Sequence, residues 1–289
     1  MTKRLQKNIA LVCAVCLLTL LMSGYAAMDN DLPAEDEGVL YEKVAISVDG
    51  ELLYSGYVID GRTYIPFRSF CGALNLGAVV FWDPESATAI GLAENFMVTA
   101  GEGDQYITVN ERCFYAEGGV VNYRGILLVP LRVLCDAFSM EIQWDEDTGD
   151  VNLLTDDLEI CLSGAAFYDE DNLYWLSRII SAEAKDQSMT GKICVGNVVI
   201  NRAESDNFPD TIREVIFDST YGIQFSPVSN GSIYNEPDEE SIVAAKLCLE
   251  GVELAGDSLY FVNPSIGSTK WFNVNRTFVT SVGDHDFYA

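Results

Sequence analysis

The chain has 289 residues, of which 44 are acidic, 17 are basic and one is histidine, so its formal net charge at pH 7 is −27. A surface this negative repels nucleic acid and anionic lipid, which argues against both as partners. The length suits two domains rather than one.

The first 26 residues have the pattern of a secretory signal peptide. The basic start MTKRLQKN precedes the apolar run IALVCAVCLLTLLMSG, and small residues then stand where a signal peptidase recognises them. We expect cleavage after Ala26; the alternative is an uncleaved membrane anchor, because the apolar run is of borderline length. After cleavage, 14 basic and 44 acidic residues remain, a net charge of −30. We therefore expect a secreted or cell-wall-associated protein that no longer contacts a lipid membrane.

An internal repeat follows a predicted acidic linker at 27–43. The segment VIDGRTYIPFRSFCGALNLGAVVFWD returns later as VNYRGILLVPLRVLCDAFSMEIQWD. Equivalent residues stand 64 positions apart at Pro66 and Pro130, Arg68 and Arg132, and Cys71 and Cys135, and 62 positions apart at Trp82 and Trp144. Each copy predicts a strand, a short helix with proline at its first position, and a strand ending in Trp-Asp.

This repeat resembles the copper amine oxidase-like N-terminal domain, and we place the domain at 44–164. Its residues favour a small α+β module that binds or spaces, and the resemblance suggests a surface or glycan-anchoring role. Copper-dependent amine oxidation is excluded, because the only histidine, His285, lies outside the module and an oxidase copper site is rich in histidine. We expect no resident metal and no cofactor.

Six cysteines lie beyond the leader, each alone in an apolar segment: Cys71, Cys113, Cys135, Cys161, Cys194 and Cys248. An even number in an exported protein allows disulfides. Buried free thiols are the alternative, which the apolar settings favour slightly.

The pattern changes from residue 165 onward, where we place a second domain at 165–289. YDEDN supplies acidic caps for a helix over LYWLSRIISAEAKDQ, and TGKICVGNVVINRAES is apolar nearly all round, which predicts a central buried helix. FPDTIREVIFDS and EPDEESIVAAKLCLEG predict two more helices, the latter ended by Gly251. DSLYFVNP, TKWFNV and TFVTSVGDHDFYA predict three short strands, so the domain is α+β.

One carboxylate in this domain stands on an apolar helix face. Leu173, Leu176 and Ile180 form the stripe, and its next position is Glu183. Burial disfavours the charged form of a carboxyl group and raises its pKa, which suits a general acid. Most helical glutamates are solvated, so the spacing alone supports this role weakly.

The segment LSRIISAEAKDQSMTGKICVGNVVINRAESDNFPDTIREVI resembles the SleB-type cell wall hydrolases, the spore cortex-lytic enzymes. The likeness continues through QFSPVSNGS, PDEESIVAAK, LYFVNP, TKW and GDHDFY. It implies a lysozyme-like helical core and cleavage of the bond between N-acetylmuramic acid and N-acetylglucosamine in peptidoglycan glycan strands. It also implies lytic transglycosylase chemistry, with Glu183 as the catalytic acid.

The resemblance further implies residues that bind the glycan: Asn201, Gln224, Phe225, Tyr260, Asn263 and Trp271. Ordinary sheet core is an equal alternative for Tyr260 and Trp271, and we expect no catalytic role for His285. A second catalytic carboxylate is not expected, because nearby acids stand in polar loops and helix starts: Asp186, Glu204, Asp206 and Asp210.

Two functions stay open. The first is a secreted enzyme that degrades peptidoglycan, acting on the vegetative wall or the spore cortex. The second is a non-catalytic wall-binding or structural protein with a lysozyme-like domain. Retention of Glu183 favours the enzyme, since an inactive descendant would be free to replace it. The sequence names no protein partner.

Overall fold

The computed structural model describes residues 40–74, 76–267 and 269–289. The predicted signal peptide and most of the predicted acidic linker lie outside these residues. Within them, no helix combines the length and the apolar character that a bilayer crossing needs. The described chain is α+β, as the sequence predicts: a sheet-rich N-terminal region precedes a helical region that contains a small sheet.

The strands of the described residues are β1 (Glu42–Val48), β2 (Glu51–Ile59), β3 (Arg62–Pro66), β4 (Val79–Asp83), β5 (Thr88–Leu92), β6 (Met97–Gly101), β7 (Tyr106–Val109), β8 (Arg112–Tyr115), β9 (Val121–Tyr123), β10 (Ile126–Pro130), β11 (Glu141–Trp144), β12 (Val151–Leu154), β13 (Tyr260–Val262), β14 (Phe278–Val282) and β15 (His285–Tyr288). They form three sheets, ordered β11-β12-β1-β2-β3-β10-β9, β4-β5-β6-β7-β8 and β13-β15-β14.

The helices of the described residues are α1 (Phe67–Ala73), α2 (Leu131–Ala137), α3 (Gly164–Phe167), α4 (Glu170–Ala184), α5 (Met189–Ala203), α6 (Ile212–Phe217), α7 (Ser226–Asn230), α8 (Glu239–Leu249) and α9 (Lys270–Asn275). A single 3-10 turn at Ser232–Tyr234 follows α7.

The two copies of the repeat meet inside the largest sheet. Strand β3 leads into α1 and strand β10 leads into α2, as the repeat predicts. The two strands pair antiparallel with Ile65 opposite Val129, which are equivalent positions of the repeat, so a local two-fold relates the copies there. Beyond the helices the copies diverge, because β4 and β5 belong to the five-stranded sheet whereas β11 and β12 belong to the seven-stranded one.

The repeat prolines stand one position earlier than predicted. Pro66 and Pro130 end their strands as N-caps, and the helices begin at Phe67 and Leu131. Both prolines have a ψ of 126°, outside the helical region. The ring therefore fixes φ at the bend between strand and helix, where its missing N–H costs no helical hydrogen bond.

The predicted helix signals of the C-terminal region are confirmed. Asp169 caps α4 by accepting a hydrogen bond from the Asn172 N–H at 2.9 Å. Helix α5 is buried along most of its length, as its apolar surface predicts. Asp238 caps α8, and Gly251 follows that helix with a φ of +89°, a conformation in which glycine is favoured.

The prediction of a strand over TKWFNV is wrong. This segment forms the short helix α9, whose side chains are half-buried or exposed. The third strand of the small sheet instead comes from the last segment, which folds back on itself as the hairpin β14–β15 through Gly283 at a φ of +57°. A strand propensity in Trp271, Phe272 and Val274 is overridden, because the final hairpin completes the sheet without them.

Helices α4, α5 and α8 approach one another most tightly at Gly196. A Cβ there would lie 2.6 Å from Cys248 Sγ and 2.9 Å from Ile180 Cδ1, inside van der Waals contact. We expect Gly196→Ala to lower the free energy of unfolding by about 1–3 kcal/mol, as measured by urea denaturation. Gly72→Ala in α1 is the control: its Cβ would meet only the Tyr54 hydroxyl, at 3.2 Å, and we expect neutrality or a gain of up to about 1 kcal/mol. Equal stability of the two variants would contradict the close packing.

The six cysteines of the described chain are free thiols, the alternative that the apolar settings favoured. All but Cys161 are buried. Burial raises the pKa of Cys71, Cys113 and Cys135 to about 12, so these groups stay protonated and pack as small apolar side chains.

Candidate active site

The Glu183 side chain lies half-buried near the C-terminal end of α4. Leu176 and Ile180 on the same face are fully buried, so the apolar stripe predicted from the sequence exists and Glu183 continues it toward solvent. The next residue, Ala184, is buried in a cluster with Val195, Val198 and Phe287, which anchors the helix end against α5 and β15.

Burial raises the pKa of Glu183 above its ordinary value of 4.5. In the described chain its carboxyl group takes part in no hydrogen bond or ion pair, so no partner stabilises the charged form. A carboxyl group of this kind keeps its proton to higher pH than a solvated glutamate and has it free to donate.

The loop after Glu183 is fastened from several sides. Gln187 Nε2 donates to Asp284 Oδ2 at 3.1 Å, and the Asp284 N–H donates to Gln187 Oε1 at 3.0 Å, which ties the loop to the β14–β15 turn. The buried Lys192 ammonium donates to the Gln187 carbonyl at 3.0 Å and to Glu240 at 2.6 Å. These contacts fix the end of the helix that carries Glu183, and the sequence did not predict them.

Two arginines gather three of the six predicted glycan-binding residues. The Arg202 guanidinium lies 5.2 Å from the ring centre of Phe225 and 5.4 Å from that of Tyr260. The Arg276 guanidinium lies 4.4 Å from the Tyr260 ring and 5.2 Å from the Trp271 ring. Arg276 Nη2 also donates to the Tyr260 hydroxyl at 2.9 Å. Two of the few basic side chains of this acidic protein therefore lie against the Tyr260 ring.

These rings differ in what they offer a ligand. Trp271 is 54% exposed and presents an open face, and Tyr260 is half-buried. Phe225 is only 2% exposed and packs against Phe261, with ring centres 6.4 Å apart. Trp271 is thus the most accessible of the three rings, Tyr260 is partly covered by the two guanidinium groups, and Phe225 supports the cluster from beneath.

The three predicted amide residues have their side chains engaged with nearby backbone. Asn201 Nδ2 donates to the carbonyls of Gly256 at 2.7 Å and Ser258 at 3.1 Å. Gln224 Nε2 donates to the Gly222 carbonyl at 2.9 Å, and Asn263 Oδ1 accepts from the Ser265 N–H at 2.9 Å. Asn201 therefore positions the segment that leads into β13, while Gln224 and Asn263 keep one free polar atom each in exposed or half-exposed loops.

Sequence reasoning missed Arg202 and Arg276. Arg202 is 5% exposed and its Nε donates to the Leu259 carbonyl at 2.7 Å. Its signal was a basic residue at the end of a helix that is otherwise apolar all round. Nothing in the local pattern around Arg276 distinguishes it from a solvated surface arginine.

His285 lies in an apolar setting on β15. Its ring packs edge-on against Phe261 with centres 5.3 Å apart, and its buried Nδ1 has no hydrogen-bond partner in the described chain. Burial lowers the pKa of His285, which favours the neutral imidazole.

The acids near Glu183 in the described sequence are solvated or serve as helix caps. The four acids considered from the sequence are exposed, as predicted: Asp186, Glu204, Asp206 and Asp210. Asp238 is partly buried but accepts hydrogen bonds from Ser181 Oγ at 3.0 Å and from Ser241 Oγ at 2.8 Å as the cap of α8. Across the described ranges, no three His, Cys, Asp or Glu side chains come together as a metal site would require.

Comparison with known families identifies both regions. Residues 186–288 match the family described as Cell Wall Hydrolase, and residues 47–153 match the Copper amine oxidase N-terminal domain. The C-terminal region is therefore similar to cell wall hydrolases and the N-terminal region to the copper amine oxidase N-terminal domain, so the resemblance inferred from the sequence is confirmed. The first match begins three residues after Glu183.

Individual relatives resemble the C-terminal region. A protein named spore cortex-lytic enzyme from Halalkalibacterium halodurans is 30% identical over 122 residues, which is 42% of this chain and 36% of that protein. The protein of the same name from Bacillus subtilis is 26% identical over 120 residues, covering 42% of this chain and 38% of its own length. The chain thus matches less than half the length of these curated relatives.

Two solved structures also resemble this region. One is the catalytic domain of the germination-specific lytic transglycosylase SleB from Bacillus anthracis, which is 28% identical, with a TM-score of 0.39, over 42% of this chain and 97% of that domain. The other is the catalytic domain of the Bacillus cereus SleB protein, with the same identity and TM-score and 92% of that chain covered.

Proposed function

We propose that this protein degrades peptidoglycan by cleaving the bond between N-acetylmuramic acid and N-acetylglucosamine, with Glu183 as the catalytic acid. The observation that carries the proposal is the unpartnered, half-buried carboxyl group of Glu183, whose pKa burial raises. The cell wall hydrolase match and the names of the relatives support the substrate class.

The mechanism uses one carboxyl group twice. Glu183 donates its proton to the glycosidic oxygen as the bond to the muramic C1 breaks, and the N-acetylglucosamine leaves as an alcohol. The resulting carboxylate then takes the proton from the C6 hydroxyl of the same muramic residue, whose oxygen closes on C1. The product is a 1,6-anhydro ring, Glu183 is protonated again, and no water is consumed.

A lytic transglycosylase of this kind accords with the solvated state of the neighbouring acids. A two-carboxylate hydrolase places a second carboxyl group across the scissile bond, either to attack C1 or to activate water. Asp186, Glu204, Asp206 and Asp210 are exposed, and Asp238 is engaged as a helix cap. The exposed Trp271 supplies a ring on which a sugar can stack, Tyr260 lies in the same aromatic and arginine cluster, and Gln224 and Asn263 supply hydrogen bonds to acetamido and hydroxyl groups.

The proposed setting is outside the cell membrane, as the predicted signal peptide requires. The second candidate is a wall-binding protein without catalysis, and a catalytically silent but folded chain would favour it. Comparison of vegetative with cortex peptidoglycan in the test shows which of the two the protein degrades.

The test is mass spectrometry of the soluble fragments released from purified vegetative and cortex peptidoglycan by the full chain. We expect fragments lighter by one water than hydrolysed muropeptides, and none from a Glu183→Gln variant. Fragments with ordinary reducing ends would contradict the transglycosylase mechanism and show that the enzyme hydrolyses the bond. Release of nothing from either substrate by a folded protein would contradict the enzymatic function.

A further inference from the structure

A cleft of about 510 Å³ opens in the N-terminal module, away from Glu183 in the chain. It is bounded by the start of β3, the end of β8, helix α2 and strands β11 and β12. Six lining side chains carry its chemistry: Arg62, Tyr115, Glu117, Arg132, Asp136 and Trp144. Neither the cell wall hydrolase domain nor Glu183 contributes to it.

The lining combines an open aromatic face with balanced charge. Trp144 is 52% exposed although it ends a strand, so its indole is available to a ligand. Arg62 forms an ion pair with Glu117, and Arg132 faces Asp136 on the same helix one turn later. Two cations and two anions cancel, so the cleft favours an uncharged ligand with many hydroxyl and amide groups over an ionic one.

The equivalent surface of the first repeat shares the exposed indole and differs in its charged residues. Trp82 corresponds to Trp144 and is 45% exposed, but it does not line the cleft. Arg68 corresponds to Arg132 and donates to the Val80 carbonyl at 3.2 Å, whereas Arg132 makes no hydrogen bond in the described chain. The position of Asp136 is occupied in the first copy by Gly72.

This asymmetry argues for a ligand. A repeat that served packing alone would need neither a guanidinium without a hydrogen-bond partner nor an added carboxylate in one copy. Burial raises the pKa of Asp136, and the Arg132 charge opposes that rise.

We propose that this cleft binds a hexosamine glycan strand, in which one sugar stacks on Trp144 while Arg132, Asp136 and Glu117 bond its hydroxyl and acetamido groups. The identity of that strand as peptidoglycan rests on the proposed function. An anionic polymer is disfavoured by the net charge of −27.

The module is joined to the hydrolase domain in a way that suits such a role. Strand β8 reaches the cleft through Tyr115 and contacts the hydrolase domain through Arg112, which bonds Glu250 with Nε at 2.9 Å and Nη2 at 2.6 Å. A glycan held in the cleft therefore keeps the hydrolase domain on the same insoluble wall.

The test measures retention of the full chain on insoluble peptidoglycan in the Glu183→Gln background, so that cleavage does not remove the substrate. Trp144→Ala is expected to weaken binding about tenfold, the usual scale for an aromatic anchor. Trp82→Ala is the matched control and is expected to bind as the parent does. Arg132→Met, which keeps the stem length, is expected to weaken binding as well.

The possible outcomes distinguish a glycan ligand in the cleft from a peptide ligand or no ligand. Unchanged binding by Trp144→Ala and Arg132→Met, or equal losses for Trp144→Ala and Trp82→Ala, would overturn the proposal. Competition by glycan strands stripped of their stem peptides is expected; competition by free stem peptides alone would replace the glycan with a peptide ligand. If retention depends on Trp144 but the unmutated chain cleaves no peptidoglycan, the result would support glycan binding by the cleft and contradict the proposed catalysis.

Discussion

Glu183→Gln is expected to slow peptidoglycan cleavage by about 10²–10⁴-fold, the usual contribution of a positioned general acid. Glutamine has nearly the same shape as glutamate but no acidic proton, so it fills the site at the end of α4 without donating to the glycosidic oxygen. The measurement is the rate of release of soluble fragments from purified peptidoglycan, at equal concentrations of folded protein.

Asp186→Asn is the matched control for this substitution. Asp186 stands three residues further on, is exposed, and loses its charge in the same way. We expect its rate to stay within about twofold of the parent, since water and salt screen the charge of an exposed carboxylate. Comparable losses of rate in both variants would mean that activity depends on the negative charge of this region and not on Glu183 as an acid.

The pH dependence gives this prediction a second, independent readout. Because burial raises the pKa of Glu183, the folded protein binds this proton more tightly than the unfolded chain does. Below the ordinary pKa of 4.5 the parent and Glu183→Gln should be equally stable. As pH rises through the raised pKa, the Glu183 carboxyl group of the parent ionises in a half-buried position, which lowers the free energy of unfolding. Glutamine does not ionise, so the variant becomes the more stable protein. Urea denaturation on both sides of that range measures the difference, and activity of the parent should fall over the same rise in pH.

Glu250→Gln is expected to cause the largest loss of stability, about 3 kcal/mol. Glu250 accepts two hydrogen bonds from Arg112 and one from the Tyr168 hydroxyl at 2.6 Å. The Arg112 and Glu250 side chains are 16% and 8% exposed, so removal of the carboxylate leaves a guanidinium largely shielded from water with no opposite charge. Urea denaturation of the full chain measures the effect.

An exposed pair of the same chemistry supplies the control. Arg62 and Glu117 also form an ion pair, but their side chains are 38% and 70% exposed. Glu117→Gln is expected to cost less than about 1 kcal/mol. The double variant Arg112→Met, Glu250→Leu should be more stable than either single variant, because no buried charge is left alone. A Glu250→Gln loss no larger than that of Glu117→Gln would show that burial of the Arg112–Glu250 pair adds nothing to its contribution to stability.

Much of the fold followed from local patterns in the sequence. The helix that carries Glu183 was predicted from apolar residues three and four positions apart and from the acidic segment that supplies its cap, Asp169. The repeat predicted two copies of strand, helix and strand, and the structure places them so. These signals work because the period of a helix or strand and the chemistry of a cap act within a few residues.

Local patterns failed where the partner is distant. TKWFNV has strand-forming residues, yet it forms α9, since whether it joins the sheet depends on the hairpin that follows. Arg112 and Glu250 are separated by 138 positions, and each has the sequence setting of an ordinary surface charge. Arg202 and Arg276 come together around Tyr260 only when α5, β13 and the end of α9 are packed.

The sequence by itself therefore determined the fold class, the repeat, the capped helices and the carboxylate on an apolar stripe, because each is encoded in a periodicity or a short motif. Only the tertiary structure decided how deeply Glu183 is buried, which side chains surround Tyr260, and that residues of the second repeat copy line a cleft together with the end of β8. Those properties depend on contacts between segments far apart in the chain, and spacing along a sequence carries no information about which segments will pack together.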